Sequence, residues 1–307
     1  MFTISHKAKQ FSVFIIKLLI VITAFYFIYH QLVSNDKLDW SKFSALVKEK
    51  QSVLGILFLL SFSIANRFLE ILKWQNLVSF IKPISLGEAT KQVLGALTAG
   101  IFTPNGLGEY AGKALFFEKI KTKKIIFLNL ICNGIQLILT IVFGTIGLLL
   151  LGYTFWVVSI VVLILGLWFL AHLSKKIKIK GYSIEKLMQK INEIPKSIHK
   201  KNILLGIGRY FVFSHQYYFL FLVFDVDLPY ITLIATITAV YFLASSLPSF
   251  QFLDFAVKGS VAMFFFSKLG VNEWVVVFIS TLMWFLNVVI PVAIGSYFVI
   301  KFKPKWN

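Results

Sequence analysis

The sequence predicts an all-α polytopic membrane protein, with about six full spans and two broken or re-entrant hairpins arranged as an inverted repeat. Three observations carry this. Hydrophobic residues make up 58% of the 307-residue chain, above the roughly 45–50% of a soluble domain. Apolar runs long enough to cross a bilayer recur along the whole length. Two further apolar regions are broken in the middle by Pro-containing polar stretches that match each other.

The elements follow in order. An apolar run over 11–33 comes after Lys7 and Lys9 and lacks a small-x-small cleavage site, so it reads as an uncleaved anchor. Runs over 53–79, 125–151, 155–173, 203–224 and 274–300 are the other full spans, the third and fourth joined by a turn at Gly152–Tyr153. Regions 86–117 and 230–266 are the broken hairpins. Each returns the chain to the side it came from, either by dipping halfway or as two short spans. The chain then divides into an anchor with an external segment (1–52), a first membrane repeat with an extra span (53–173), a basic amphipathic connector (174–202) and a second repeat (203–307).

Composition excludes several chemistries. One cysteine, Cys132, and five scattered histidines supply no metal cluster or disulfide. There is no Gly-rich nucleotide loop and no Gly-x-Ser-x-Gly. No cofactor, metal or catalytic site is therefore expected, and no enzyme activity. The formal net charge of +18 invites a nucleic-acid reading, but the lysines follow topology instead. With the N-terminus inside, 21 lysines fall on inside segments and five on outside ones, a strong positive-inside bias. Both termini are then cytoplasmic, and nucleic acid is not an expected partner. Two connectors have helical apolar spacing: Leu38, Trp40, Phe43, Leu46 and Val47 outside, and Ile184, Leu187, Met188, Ile191 and Ile194 inside. Each suits either a bilayer surface or plain packing on the bundle.

The first break reads "FTPNGLGEYAGKA" over 102–114. Pro104 disfavours helix at its predecessor. Gly106 and Gly108 permit positive φ and close backbone approach. Thr103 or Asn105 is placed to cap the helix carrying Glu109, whose N-terminus is then a potential anion site. The second break reads "LPSFQFLDFAVKGSVA" over 247–262. Glu109-Tyr110-Ala111-Gly112-Lys113 aligns with Asp254-Phe255-Ala256-Val257-Lys258. Pro104 precedes its acid by five residues and Pro248 by six. Upstream, the only two arginines, Arg67 and Arg209, lie 37 and 39 residues before those prolines, each inside an apolar span. The lysine count places one hairpin entering from inside and the other from outside, so the repeats are inverted, as in many transporters with midplane sites.

Glu109 with Lys113, and Asp254 with Lys258, are i,i+4 pairs in the favourable order. They either lock their hairpins or bind substrate. Arg67 has Glu70 at i+3. Arg209 has no partner on its own helix, and Asp254 and Glu109 are its expected partners. Taken together, Arg67, Lys73, Lys113, Arg209 and Lys258 outnumber Glu70, Glu109 and Asp254 by two, a surplus that suits phosphate. Lys73 has the alternative of snorkelling to the cytoplasmic interface. Asn129, Asn133 and Gln136 share a helix face and either line the cavity or bond neighbouring helices. Asn287 and Pro291 read as kink and packing, and His215-Gln216 as part of an aromatic run.

"NRFLEILKW" (66–74) followed by "TPNGLGEYAGKA" resembles the membrane domain of bacterial lysylphosphatidylglycerol synthase/flippase proteins, within a broader flippase-like transmembrane family. The resemblance covers roughly 53–300 and rests on Asn66, Arg67, Trp74, Pro104, Gly108 and Glu109, with Lys113 where the family often has a basic residue. It implies an integral inner-membrane protein of lipid-flippase type. The synthase members carry a soluble aminoacyl-transferase domain after the membrane part; this chain ends at Asn307, so that chemistry is not expected of it. The expected function is translocation of an anionic phospholipid or lipid-linked saccharide across the bacterial inner membrane. The expected gating or substrate-binding set is Arg67, Glu70, Pro104, Asn105, Gly108, Glu109, Lys113, Arg209, Pro248, Asp254 and Lys258. The rival readings are a membrane glycosyltransferase or lipid-modifying enzyme, and an accessory scaffold for a partner in envelope biosynthesis.

Overall fold

The computed structural model describes residues 53–302, except 102, 104–105, 176, 178–182 and 248–252, together with positions 15, 19 and 22. Apart from those three positions the expected anchor, and likewise the external connector, Pro104, Asn105 and residues 248–252 of the second break, Pro248 among them, lie outside the described residues. Helices account for nearly everything else, and no strand occurs among the described residues.

The first half opens with α1 (Val53–Val78), followed by α2 (Leu86–Gly100) and α3 (Leu107–Ala114). After a 3-10 turn come α4 (Thr122–Leu150) and α5 (Thr154–Leu173). A short α6 (Ile184–Asn192) leads into the second half: α7 (Lys196–Val223), α8 (Tyr230–Ser246) and α9 (Asp254–Phe266). The chain closes with α10 (Glu273–Trp284), a π-helical segment (Phe285–Val289) and α11 (Ile290–Lys301). Local chemistry sets many of these boundaries. Ser85 and Glu88 form a reciprocal capping box on α2. Ser183 accepts from Lys186 N to start α6, and Asn272 from Trp274 N to start α10. Gly152, at φ 81°, turns the chain from α4 into α5 as expected.

Among the described residues four segments are long and apolar enough to cross a membrane: Val53–Val78, Lys119–Leu150, Thr154–Leu173 and Glu273–Lys301. The expected span over 203–224 lies within α7, which has 28 residues but is not among the four. Its polar groups, Arg209, Ser214, His215 and Gln216, dilute its apolar run. Two of them, Arg209 and Gln216, are turned onto α1. The hairpin arms are short. α2 and α3 have 15 and 8 residues, about 22 and 12 Å at 1.5 Å per residue, against a hydrocarbon core of about 30 Å.

Packing is arranged around cross-connections between the halves. α1 lies along α7, α4 along α8, and α11 along α2, while each hairpin folds on itself as α2 on α3 and α8 on α9. One apolar core, including Trp74, Leu77, Val93, Ile125 and Leu128, belongs to the first half. A second, including Phe221, Ile237, Phe266 and Ile279, is built mainly by the second half. A small cluster of Leu97, Ile101, Phe255, Trp284, Val289 and Val292 joins them. Among the described part of the connector, Ile194 is buried in the first core and Ile191 packs against it, whereas Leu187 and Met188 stay exposed. No residue of α5 is buried.

Glycines set two of the long contacts. A Cβ on Gly147 of α4 would stand 2.5 Å from Ala235 O of α8, and one on Gly295 of α11 would stand 2.3 Å from Leu94 O of α2. Without a hydrophobic force between helices in lipid, such close approach is what holds them together. Thr98 Oγ1 adds a hydrogen bond across the second contact to Val292 O at 3.1 Å. Replacing Gly295 with leucine should therefore lower the melting temperature in detergent by several degrees, an overpacking cost of about 1–3 kcal/mol. Gly166→Leu on α5, where a Cβ meets nothing within 4 Å, should leave it unchanged.

Candidate functional site

Where the two halves meet, a cavity of about 430 Å³ opens among α1, α3, α4, α7, α8, α9 and α10. Among the described residues six charged side chains line it: Arg67 and Glu70 from α1, Glu109 from α3, Arg209 from α7, and Asp254 and Lys258 from α9. Each of the six belongs to the set expected from sequence. Asn66, Asn133 and Asn287 add polar groups, and Phe213, Tyr217, Tyr241 and Trp284 add aromatic walls.

Glu70 is the hub. Its Oε2 pairs with Arg67 Nη1 on the same helix and with Arg209 Nη2 at 3.3 Å. Arg209 was expected to find Asp254 or Glu109. It reaches Glu70 instead, because α7 runs along α1 and brings its guanidinium beside the Asn66–Glu70 face. Its Nε also donates to Asn66 Oδ1 at 3.0 Å. Asn66 and Glu70 are i,i+4, so one face of α1 receives both contacts.

Asn287 completes the network, and its role is larger than the packing expected of it. Asn66 Nδ2 donates to Asn287 Oδ1 at 2.8 Å, and Asn287 Nδ2 donates to Gln216 Oε1 at 2.9 Å. Gln216 in turn donates to Ser63 Oγ at 2.6 Å and Leu59 O at 3.0 Å. The backbone matters as much. Arg67 Nη2 donates to the carbonyl of Asn287. Pro291 lies four residues on and has no N–H, so it offers that carbonyl no helical bond. Asn287 sits in the π-helical segment, an irregularity common at functional sites. The sequence signal was there: a proline four residues after a polar residue in a span exposes one carbonyl.

The two charged pairs of the hairpins behave differently. Lys258 Nζ pairs with Asp254 Oδ2 at 2.5 Å, as the i,i+4 spacing predicts. It also stands 5.5 Å from the Phe213 ring centre and 5.9 Å from that of Tyr241. Lys113 turns away from the cavity. It is fully buried, donates to Asn129 Oδ1 at 2.7 Å and lies over the Trp74 ring at 4.7 Å. Trp74 is held in place by its own bond to Gln92 Oε1 at 2.7 Å. Lys73 does not snorkel outward either. It is buried, with Cys132 O and Gln136 Oε1 each at 3.2 Å. Asn129 and Gln136 thus bond neighbouring helices, while Asn133 both bonds Tyr110 and lines the cavity.

This corrects the charge count. With Lys73 and Lys113 withdrawn, three cations and three carboxylates line the cavity among the described residues, which show no positive surplus there. Gly108 also acts from outside it. A Cβ there would meet Gly100 Cα and a Thr103 methyl at 2.9 Å, so it lets α3 close on α2. Thr103 Oγ1 accepts from Gly108 N at 2.7 Å, and Gly106 takes φ 68°, the capping and positive-φ roles expected of these residues.

Glu70 and Asp254 should respond differently to removal. Glu70 and Arg67 are largely buried, with side-chain exposures of 9% and 13%, whereas Lys258 and Asp254 keep 27% and 24%. Glu70→Ala strands two guanidinium groups and should cost roughly 3–5 kcal/mol. Asp254→Ala should cost about 1 kcal/mol or less. Thermal unfolding of the two variants in one detergent measures the difference.

No curated protein and no solved structure gives a significant match to the chain. A family model does: that of the lysylphosphatidylglycerol synthase TM region, over residues 14–251. The match takes in α1, the first hairpin, the chain up to the second break, and four of the six charged residues around the cavity, Arg67, Glu70, Glu109 and Arg209; Asp254 and Lys258 lie just beyond its end. Spanning well over half of the sequence, it shows that the chain belongs to the lysylphosphatidylglycerol synthase TM-region family of membrane proteins.

Proposed function

We propose that this chain translocates a membrane lipid by its head group, using the cavity between two inverted repeats. The observation that carries the reading is the sharing of Glu70 by Arg67 and Arg209, one arginine from each half. Of the six charged residues around the cavity, Arg67, Glu70, Glu109 and Arg209 lie within the family match, and Asp254 and Lys258 follow its end, so the count inside it is four.

The inverted repeat is supported by the pairing of helices. Exchanging α1 with α7, α2 with α8, α3 with α9, and α4 with the α10–α11 span turns the α4–α8 contact into the α11–α2 contact. It leaves the α1–α7 contact unchanged and turns the α2–α3 hairpin into the α8–α9 hairpin. The close-packing glycines follow the same exchange, Gly147 beside Thr238 and Gly295 beside Thr98. The short arms suit re-entrant hairpins, whose irregular ends survive at membrane depth where they line a polar cavity.

In this reading a head group enters beside Glu70 and competes for the guanidinium groups. Arginine's planar fork suits a phosphate or sugar oxygen pair. Releasing Arg209 from Glu70 loosens one link between the halves, and the opposed hairpins then open the cavity to alternate sides. The glycosyltransferase and scaffold readings gain no specific support from this arrangement. A bacterial inner-membrane location with both termini cytoplasmic is supported by the lysine distribution.

Arg209→Ala, in protein that still elutes as a single folded species, should reduce lipid translocation in proteoliposomes at least about tenfold, an effect typical of losing a charged anchor. Leu170→Ala on the outward-facing α5 should leave the rate unchanged. Unaltered translocation by the Arg209 variant would remove this site from the mechanism. Orientation is checked separately in a Cys132→Ser background. A cysteine at Lys201 should be shielded from an impermeant thiol reagent in intact cells, and one at Lys268 should be labelled.

A further inference from the structure

We propose that the last membrane span is jointed at Asn287 and Pro291, and that a head group bound at Arg67 changes the bend of this joint and so moves the two hairpins relative to each other. The inference rests on the translocator reading above and names the device that couples its site to its opening. It starts from what the two parts of that span touch. α10 belongs with the second hairpin. It lies along α9, Trp284 faces Phe255 with ring centres 5.1 Å apart, and Ser280 Oγ meets the Tyr217 hydroxyl of α7 at 2.7 Å. α11 belongs with the first hairpin. It is seated on α2 through Gly295 and through the bond from Thr98 to Val292 O.

Between these parts the helical ladder is interrupted. Ile290 N donates to Phe285 O, five residues back instead of four. Pro291 has no N–H to give to Asn287 O. Long helices kink at such prolines and π-bulges. The matching span of the first half has neither. The exchange that sets Gly147 on Gly295 sets Leu139 on Asn287 and Phe143 on Pro291, and α4 runs as one α-helix from Thr122 to Leu150. The joint is therefore an addition to the second half rather than a feature that the repeat imposes.

The cavity itself holds the joint. Arg67 Nη2 donates to Asn287 O, and Asn66 Nδ2 donates to Asn287 Oδ1, so α1 grips both the backbone and the side chain of this residue. Asn287 Nδ2 ties it further to Gln216 of α7 and to Met283 O of α10. Arg67 and Asn287 both line the cavity. A head group that draws the Arg67 guanidinium toward itself takes Nη2 from Asn287 O, and Pro291 offers that carbonyl no replacement. A ligand moves a conformational equilibrium only by its difference in affinity for the two states. Here the difference is the acceptor that Arg67 faces: Asn287 O in one state, the head group in the other.

The test compares the parent chain with Pro291→Ala and Arg67→Lys, all in a Cys132→Ser background. Spin labels on Lys200→Cys of α7 and Ile300→Cys of α11 report the distance between the two helix ends in nanodiscs. Alanine restores an N–H for Asn287 O, whereas lysine keeps a charge beside Glu70 but lacks the second arm that reaches Asn287. The distance distribution should narrow in Pro291→Ala and shift or broaden in Arg67→Lys. The same distribution in all three overturns the joint. Translocation is read without spin labels, in proteoliposomes with tail-labelled phosphatidylglycerol, phosphatidylethanolamine and a glucosyl diacylglycerol, following whichever moves fastest. Pro291→Ala should slow it at least about fivefold, the lower end of coupling between linked sites. Its melting temperature should hold or rise, because alanine is the better helix former; a proline that served structure alone would lower both together. An unchanged rate overturns the joint and leaves the translocator reading intact. No movement of any of the three lipids above protein-free vesicles overturns both. Where the alanine variant fails to fold, an identical distribution in Arg67→Lys and the parent chain overturns the joint by itself.

Discussion

The buried carboxylate of Glu70 constrains the whole arrangement around it. Two arginines from different halves of the chain are drawn into an apolar bundle, and each needs an anion there. One carboxylate serves both, together with the side chain of Asn66 and the carbonyl of Asn287. Desolvating three charges is expensive unless every lone pair and proton finds a partner. The amide relay from Asn66 through Asn287 and Gln216 to Ser63 supplies much of that support, while the buried Nε of Arg67 is left without a hydrogen bond. It ties α1 to α7 and to the π-helical segment, so that the position of the last span depends on the charge network.

Around that hub the bundle is held by close backbone approach. The long helices meet the first arm of the opposite hairpin at glycine positions, where a side chain would collide with a carbonyl. Within the first hairpin Gly100 and Gly108 do the same work, since a Cβ on Gly100 would stand 2.7 Å from Glu109 Cγ. The packing that closes α3 on α2 therefore also fixes where Glu109 points. Stability and site geometry are set by the same contacts here, unlike α5, which contributes apolar surface to the outside and no residue to the cavity.

A network of shared ions is well suited to exchange of partners. Glu70 holds two guanidinium groups with one carboxylate oxygen, so a competing acceptor can take one of them without leaving the carboxylate bare. The Asp254–Lys258 pair is more exposed and closes on itself. The contrast gives the two hairpins unequal roles: α9 carries a self-contained pair, whereas the lysine at the matching place on α3 is spent on fixing the hairpin to Trp74 and Asn129.

Much of this was legible in the sequence. Apolar runs and their polar interruptions located the long helices and the hairpins, because bilayer thickness imposes length and composition directly. The rarity of arginine picked out Arg67 and Arg209, and the matched acids picked out Glu109 and Asp254; all four reach the cavity. Capping by Thr103 and the turn at Gly106 followed from local chemistry. The pairing of these groups was not legible. Which acid meets Arg209 depends on α7 lying along α1, a contact between segments 139 positions apart at Glu70 and Arg209. Whether Lys113 faces its acid or an asparagine depends on which way α3 is rolled against α4. Sequence spacing determines what shares a helix face, and tertiary packing alone decides what that face meets, which is why Lys73 and Lys113, expected at the cavity, are spent on helix contacts instead.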